Sequence, residues 1–259
     1  MTRKSRAIKV FSAVLFAVFF FSFSLVGYAK TSDNSSYYTY NQTTYGTSTI
    51  TYVQTSALKP KLVATTGFDS VKELTKSVNG VIGINAGAWN NYGALDFTYT
   101  NGVWYSDNKN AYVGDPLVCT ADGYLFAYGY NGASKEVLES FNPTWVVTGF
   151  NGVIYDTYYK NVDWNTKHNR SFIGQFADGS YVVGVGTAMT YQDMYDFAKS
   201  TWGDSLRLLY NLDGGGSTNL YVDNYNHQNA SCNPLQTPTY LAEYPLYLQD
   251  YLPVAKTLP

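Results

Sequence analysis

The chain has 259 residues, a formal net charge of −2 and only 14% charged residues. Twenty-six tyrosines, 14 phenylalanines and 5 tryptophans make it aromatic-rich. Without the four basic residues of positions 1–29 the remainder carries −6, which argues against a nucleic-acid partner and leaves any phosphate to be held by local donors.

Arg3, Lys4, Arg6 and Lys9 precede an apolar run from Val10 to Val26, and Gly27-Tyr28-Ala29 closes it with small residues before Lys30. Residues 1–29 therefore read as a secretory signal peptide. An uncleaved N-terminal anchor is the alternative, because the run is close to the ~17 residues that a spanning helix needs at least. Either way the folded part is expected to be secreted or extracellular, touching a membrane only through that segment. Residues 30–49 are rich in Ser, Thr, Tyr and Asn without apolar periodicity, and they predict a flexible polar linker with order starting near Ile50. The remaining roughly 210 residues fit one domain, 50–259. Export makes a disulfide between Cys119 and Cys232 possible, with two buried thiols as the alternative.

Ser70 and Glu73 form a capping-box pattern ahead of Val71, Leu74 and Val78, and Asn79-Gly80 can stop that short helix. Val81 to Ile84 reads as a buried strand ending at Asn85-Ala86-Gly87. From 97 to 160, Asn101-Gly102, Asp122-Gly123, Asn131-Gly132 and Asn151-Gly152 split short apolar runs, the pattern of an antiparallel meander. Asp178-Gly179 joins Arg170–Ala177 to Tyr181–Gly186 in a further hairpin. Thr190 can cap a helix with Tyr191, Met194, Phe197, Ala198 and Trp202 on one side, stopped by Gly203. A strand over 206–212 follows. The sum is an α+β domain with a largely antiparallel or mixed sheet, one strand-helix-strand crossover and few helices.

That last strand runs into Asp213-Gly214-Gly215-Gly216-Ser217. Alternation would put Asn211 and Asp213 on one face, while consecutive glycines bare amides that can cradle an anion. The alternative is a plain hairpin between 206–212 and 218–222. No Walker loop, dinucleotide fingerprint or Gly-x-Ser-x-Gly elbow occurs. The two histidines and two cysteines form no zinc or calcium pattern, so no cofactor is predicted; a single divalent cation assisting phosphate at Asp213 stays an open alternative.

Four separated motifs resemble the phosphodiester glycosidase family. They are Gly83-Ile84-Asn85-Ala86-Gly87; Gly114-Asp115-Pro116-Leu117 with Asp122-Gly123; Asn169 to Gly174 with Asp178-Gly179; and Asn211 to Ser217. In the family two aromatics usually follow Asn-Ala-Gly, where this chain has Ala88-Trp89, and an arginine usually lies near the C-terminus, where this chain has none after Arg207. The resemblance implies a hydrolase acting on a sugar-1-phosphodiester in a glycan or cell-surface polymer. A non-catalytic glycan-binding or wall-associated protein with the same pocket is the alternative, and exposed aromatics that stack on sugar rings would suit either.

On the motif positions, side-chain chemistry suggests roles. Asp213, Arg170 and Asn85 are the catalytic candidates. Asp213 would face the anomeric carbon or activate water, and the Arg170 fork would match phosphate oxygens. Asn211, Gly214, Gly215, Gly216, Ser217 and His168 are candidates for holding sugar or phosphate. Each has a structural alternative: a surface ion pair for Arg170, turn bonding for Asn85 and Ser217, an exposed loop for His168.

Overall fold

The computed structural model describes residues 38–64, 70–90, 93–109, 114–149, 165–222 and 246–251. In chain order its first strands and helix are β1 (Thr39–Tyr45), β2 (Ser48–Thr55), β3 (Lys59–Ala64), α1 (Val71–Ser77), β4 (Ile82–Asn85), β5 (Trp89–Asn90) and β6 (Gly93–Ala94). Then come β7 (Phe97–Thr100), β8 (Val103–Asp107), β9 (Pro116–Thr120), β10 (Leu125–Ala127), α2 (Lys135–Ser140) and β11 (Pro143–Thr148). The remainder is β12 (His168–Phe176), β13 (Tyr181–Met189), α3 (Tyr191–Trp202), β14 (Leu206–Asn211), β15 (Leu220–Val222) and β16 (Leu246–Tyr251).

Three sheets carry the fold, ordered β1-β2-β13-β12-β14, β10-β9-β11-β7-β8 and β15-β4-β16-β3, beside the small pair β5-β6. Neighbouring strands run antiparallel. One face of each large sheet meets the others in a shared core. Val53, Ile173, Val183 and Tyr210 come from the first sheet, Leu117, Trp145 and Val147 from the second, and Leu62, Ile82 and Ile84 from the third. Burying each such side chain contributes about 1.5–3 kcal/mol, which makes the junction of the sheets the main source of stability. The outer faces are covered by helices: α3 on the first sheet, α2 on the second and α1 on the third. The result is a single α+β domain.

Local signals explain the helices. Ser70 and Glu73 bond reciprocally as a capping box on α1, and Thr190 with Asp193 does the same on α3. Gly203, at φ +52°, ends α3, whose buried Tyr191, Met194, Phe197 and Ala198 face Ile50, Tyr52, Phe172 and Leu209. β13 and β14 flank β12, each antiparallel to it, and so run parallel to one another with α3 as their crossover.

Three expectations and one alternative need correction. The linker expected over 30–49 is folded from Tyr38 onward: β1 pairs along its length with β2, and Tyr38 and Tyr40 lie in the central core. The buried residues of 38–45, Tyr38, Tyr40 and Thr43, are tyrosine and threonine, which composition alone reads as polar. The second sheet is no meander, because β11 returns to lie between β9 and β7. Asn131-Gly132 forms a 3-10 turn leading to α2 rather than a hairpin, while Asn151-Gly152 lies outside the described residues. Finally, β14 and β15 do not form a hairpin: β14 pairs with β12 and β15 with β4, so the glycine run passes from the first sheet to the third. The disulfide expectation cannot be followed to both ends, since Cys232 lies outside the described residues. Cys119 is buried in β9, where desolvation pushes its thiol up to about 11.

Candidate active site

The passage from β14 to β15 is held at three points, two on β12 and one just after β4. Leu212 N donates to Ser171 O on β12, and Asp213 N donates to Ala86 O just after β4, both at 2.8 Å. Gly214 packs so closely on β12 that a Cβ there would stand 2.6 Å from Asn169 O. Gly215, at φ +61°, opens the short 3-10 turn Gly215–Ser217 in a conformation that L side chains rarely adopt. Glycine is thus required at 214 for space and at 215 for backbone conformation.

Asp213 is only 5% exposed. Burial pushes its carboxyl up to about 6, against the opposing hydrogen bonds of Ser217, the Gly214 amide and Trp89. The Gly214 bond spans 2.9 Å, and Trp89 Nε1 also donates to Ser217 Oγ at 3.2 Å. A carboxyl of this kind changes charge near neutral pH, where it can give or take a proton. It is also the type of strongly desolvated group that marks functional sites.

Asn85 ends β4 beside it, buried. Its Nδ2 donates to Asp213 O at 2.8 Å, and its Oδ1 accepts from Ser171 Oγ at 2.6 Å and from Asn219 N at 2.9 Å. The Asn85 amide thus meets the backbone of the turn, and the Asp213 carboxylate has other partners.

Arg170 is 5% exposed on β12. Its Nε donates to Met189 O at 3.2 Å and its Nη2 to Thr166 O at 3.1 Å, while the guanidinium carbon lies 3.7 Å from the Tyr191 ring centroid. The surface ion pair considered from sequence is therefore not its setting. Asn211 is wholly buried at the end of β14, with Nδ2 donating to Leu212 O at 2.8 Å and to Tyr191 Oη at 3.4 Å. The strand stops there, so alternation no longer governs Asp213, and the two side chains bond to different partners. His168 is exposed at the first position of β12.

Of the sequence candidates, the structure brings together Asp213, Gly214, Ser217 and Asn85. It sets Arg170 and Asn211 around Tyr191, next to α3. Among the described residues the Gly214 amide is engaged by Asp213 itself, and no group of three His, Cys, Asp or Glu side chains is arranged to hold a metal.

Residues 73–242 match the family model described as phosphodiester glycosidase. The chain belongs to that family. The matched span contains every element of the site just described. The chain is 27% identical over 172 residues to the SPbeta prophage-derived uncharacterized protein YomE of Bacillus subtilis (strain 168), covering 61% of this chain. It spans 27% of that protein's length. Among solved structures it is similar to the zebrafish N-acetylglucosamine-1-phosphodiester alpha-N-acetylglucosaminidase catalytic domain auto-inhibited by pro-peptide, with a TM-score of 0.62, 14% identity and 87% coverage of each chain. It is also similar to a hypothetical protein from Synechocystis, with a TM-score of 0.51, 13% identity and coverage of 84% of this chain and 62% of that one. At such identities these two likenesses establish the fold.

Sequence reasoning did not single out Trp89, Ser171, Tyr191 or Asn219 as site residues. Trp89 follows the Asn85-Ala86-Gly87 motif by two positions, a signal that could have marked it. Ser171 sits inside the quoted arginine motif but carries no local mark of its bond to Asn85. Tyr191 reads only as a core position of α3.

Proposed function

We propose that this member of the phosphodiester glycosidase family is an exported hydrolase that cleaves a sugar-1-phosphodiester in a glycan or cell-surface polymer. The observation that carries the reading is Asp213: a buried carboxyl pushed up to about 6, held between a glycine turn and the end of a core strand. In the ionised form it takes a proton from water as the water oxygen bonds to the anomeric carbon. The bond from that carbon to the phosphate oxygen breaks, and the phosphomonoester leaves with the electron pair. A phosphate monoester is a good leaving group, so little general-acid help is needed. What must be stabilised is charge on the departing phosphate and on the oxocarbenium-like carbon.

The amides of Gly215 and Gly216, on the partly exposed side of the turn, are the donors assigned to the phosphate. Arg170 is assigned as a buried positive charge beneath the turn, its backbone packed against Gly214. Ser217 orients the carboxylate, and Asn85 holds the loop that carries it. Asn211 supports the arrangement through Tyr191, and His168 is left for contact with the group beyond the phosphate.

A second reading, a glycan-binding protein without turnover, is favoured by the engagement of the Arg170 fork with two backbone carbonyls. The deciding experiment incubates the full chain with a panel of α-linked sugar-1-phosphodiesters in oxygen-18 water and weighs the products. Label in the released sugar supports the glycosidase. Label in the phosphate makes it a phosphodiesterase, and binding without turnover supports the second reading.

A further inference from the structure

Trp89 lies across from the glycine turn, its indole nitrogen 3.2 Å from Ser217 Oγ. An indole N–H carries one proton and no lone pair on that nitrogen, so it can only donate. Ser217 Oγ must accept at this contact, which leaves its own proton to point elsewhere. The Asp213 carboxylate lies in reach: Ser217, the Gly214 amide and Trp89 all bond to it.

We propose that Trp89 is a positioning residue of this site: by donating to Ser217 Oγ it holds that hydroxyl as a donor to the Asp213 carboxylate and so favours the ionised form. The inference rests on Asp213 being the working carboxylate. A hydroxyl that rotates freely can donate to a carboxylate or accept from a carboxylic acid, and thus discriminates little between them. With one lone pair already engaged by the indole, accepting from a protonated Asp213 would use the other and leave the serine proton without its acceptor. Beside a carboxyl that is itself buried, that arrangement is costly.

Other groups around Asp213 do not replace this control. From β12, Arg170 is stacked on Tyr191 with bonds to Met189 O and Thr166 O, and His168 is exposed. From β4 comes the neutral amide of Asn85, bound to the Asp213 carbonyl. Among the described residues the influences on the carboxyl are burial, Ser217, Gly214 and Trp89, with no charged side chain.

The test follows the carboxyl itself. The full chain is labelled with carbon-13 aspartate, the Asp213 Cγ resonance is identified by its loss in Asp213→Asn, and it is titrated between about pH 4 and pH 9. Trp89→Phe and Ser217→Ala should each raise the midpoint by about one pH unit. Trp89 also bonds to the carboxylate directly, so the part of its effect that passes through the hydroxyl is read in the double variant. Trp89→Phe should raise the midpoint less on Ser217→Ala than on wild type, and the double variant should rise by less than the sum of the two shifts. Ser217→Thr, which keeps the hydroxyl, should stay near the wild-type midpoint. An unmoved midpoint in Trp89→Phe, or strictly additive shifts, overturns the inference. If Trp89→Phe does not fold, Ser217→Ala and Ser217→Thr decide, and an unmoved midpoint in Ser217→Ala overturns it. Absent hydrolysis in the wild type would count against the hydrolase reading alone, because the midpoint is read without substrate.

Discussion

Asn85 holds Asp213 by its backbone: Nδ2 donates to the Asp213 carbonyl at 2.8 Å, while the carboxyl bonds to Ser217, Gly214 and Trp89. The same amide accepts from Ser171 Oγ and Asn219 N. One side chain at the end of β4 thereby joins β12 to both flanks of the glycine turn. Asn85→Ala should cost about 3 kcal/mol, two buried hydrogen bonds and one partly buried being lost together. Urea denaturation at neutral pH checks this, and a change well below 1 kcal/mol would show that water takes over the bonds.

Asp213→Asn separates catalysis from binding. The isosteric amide retains shape but cannot take up a proton as a base, so kcat should fall by about 10²–10⁴-fold. Affinity for a non-hydrolysable phosphonate analogue should change little in comparison. Unchanged turnover in this variant would remove Asp213 from the chemistry.

Burial raises the folded-state pKa of Asp213 from 3.8 to about 6. The sign follows from linkage: a raised pKa means that the folded state holds its proton more tightly, so the relative stabilisation is complete below about pH 4 and is lost as pH rises through about 6. A shift of this size corresponds to something on the order of 3 kcal/mol. The exposed carboxylates Glu73, Asp122, Glu136 and Asp178 are held below their ordinary values by local hydrogen bonds and act in the opposite direction. The stability difference between wild type and Asp213→Asn, followed across that window, isolates the contribution. A difference that is flat with pH would contradict it. Hydrolysis that uses the ionised carboxylate should increase through the same region.

Arg170→Lys should lower stability by about 1–3 kcal/mol, because an ammonium cannot reproduce both carbonyl bonds and the stacking on Tyr191. Thermal denaturation alongside KM distinguishes two roles. A higher KM at unchanged stability would make the arginine a direct phosphate ligand, whereas reduced stability marks its part in holding Thr166 and Met189.

The two glycines of the turn should respond differently to alanine. Gly215→Ala faces open space and has only its positive φ to oppose it, at about 1 kcal/mol. Gly214→Ala would bring a methyl against Asn169 O and must move the turn, so its loss of turnover should be the greater. Equal effects on kcat would show that the contact with β12 does not govern the position of Asp213.

The short α2, capped by Ser134, was not read from the sequence. Helices α1 and α3 and most hairpins were legible because their signals close within a few residues: Ser70 with Glu73, Thr190 with Asp193, and Asp178-Gly179 between β12 and β13. Asp213 with its glycines could be picked out for the same reason, since a carboxylate beside unshielded amides is a local property. The sequence alone also carried the family motifs and the α+β class. The tertiary structure decided which distant groups meet. Asn85 and Asp213, like Trp89 and Ser217, are 128 residues apart and touch only because β4 and the β14–β15 passage meet where two sheets join. Desolvation of Asp213 is equally non-local, since the apolar surroundings that push its carboxyl upward are assembled from strands and turns far apart in the chain. The polar-looking β1 escaped notice because its tyrosines reveal their inward face only once a neighbouring strand sets the register.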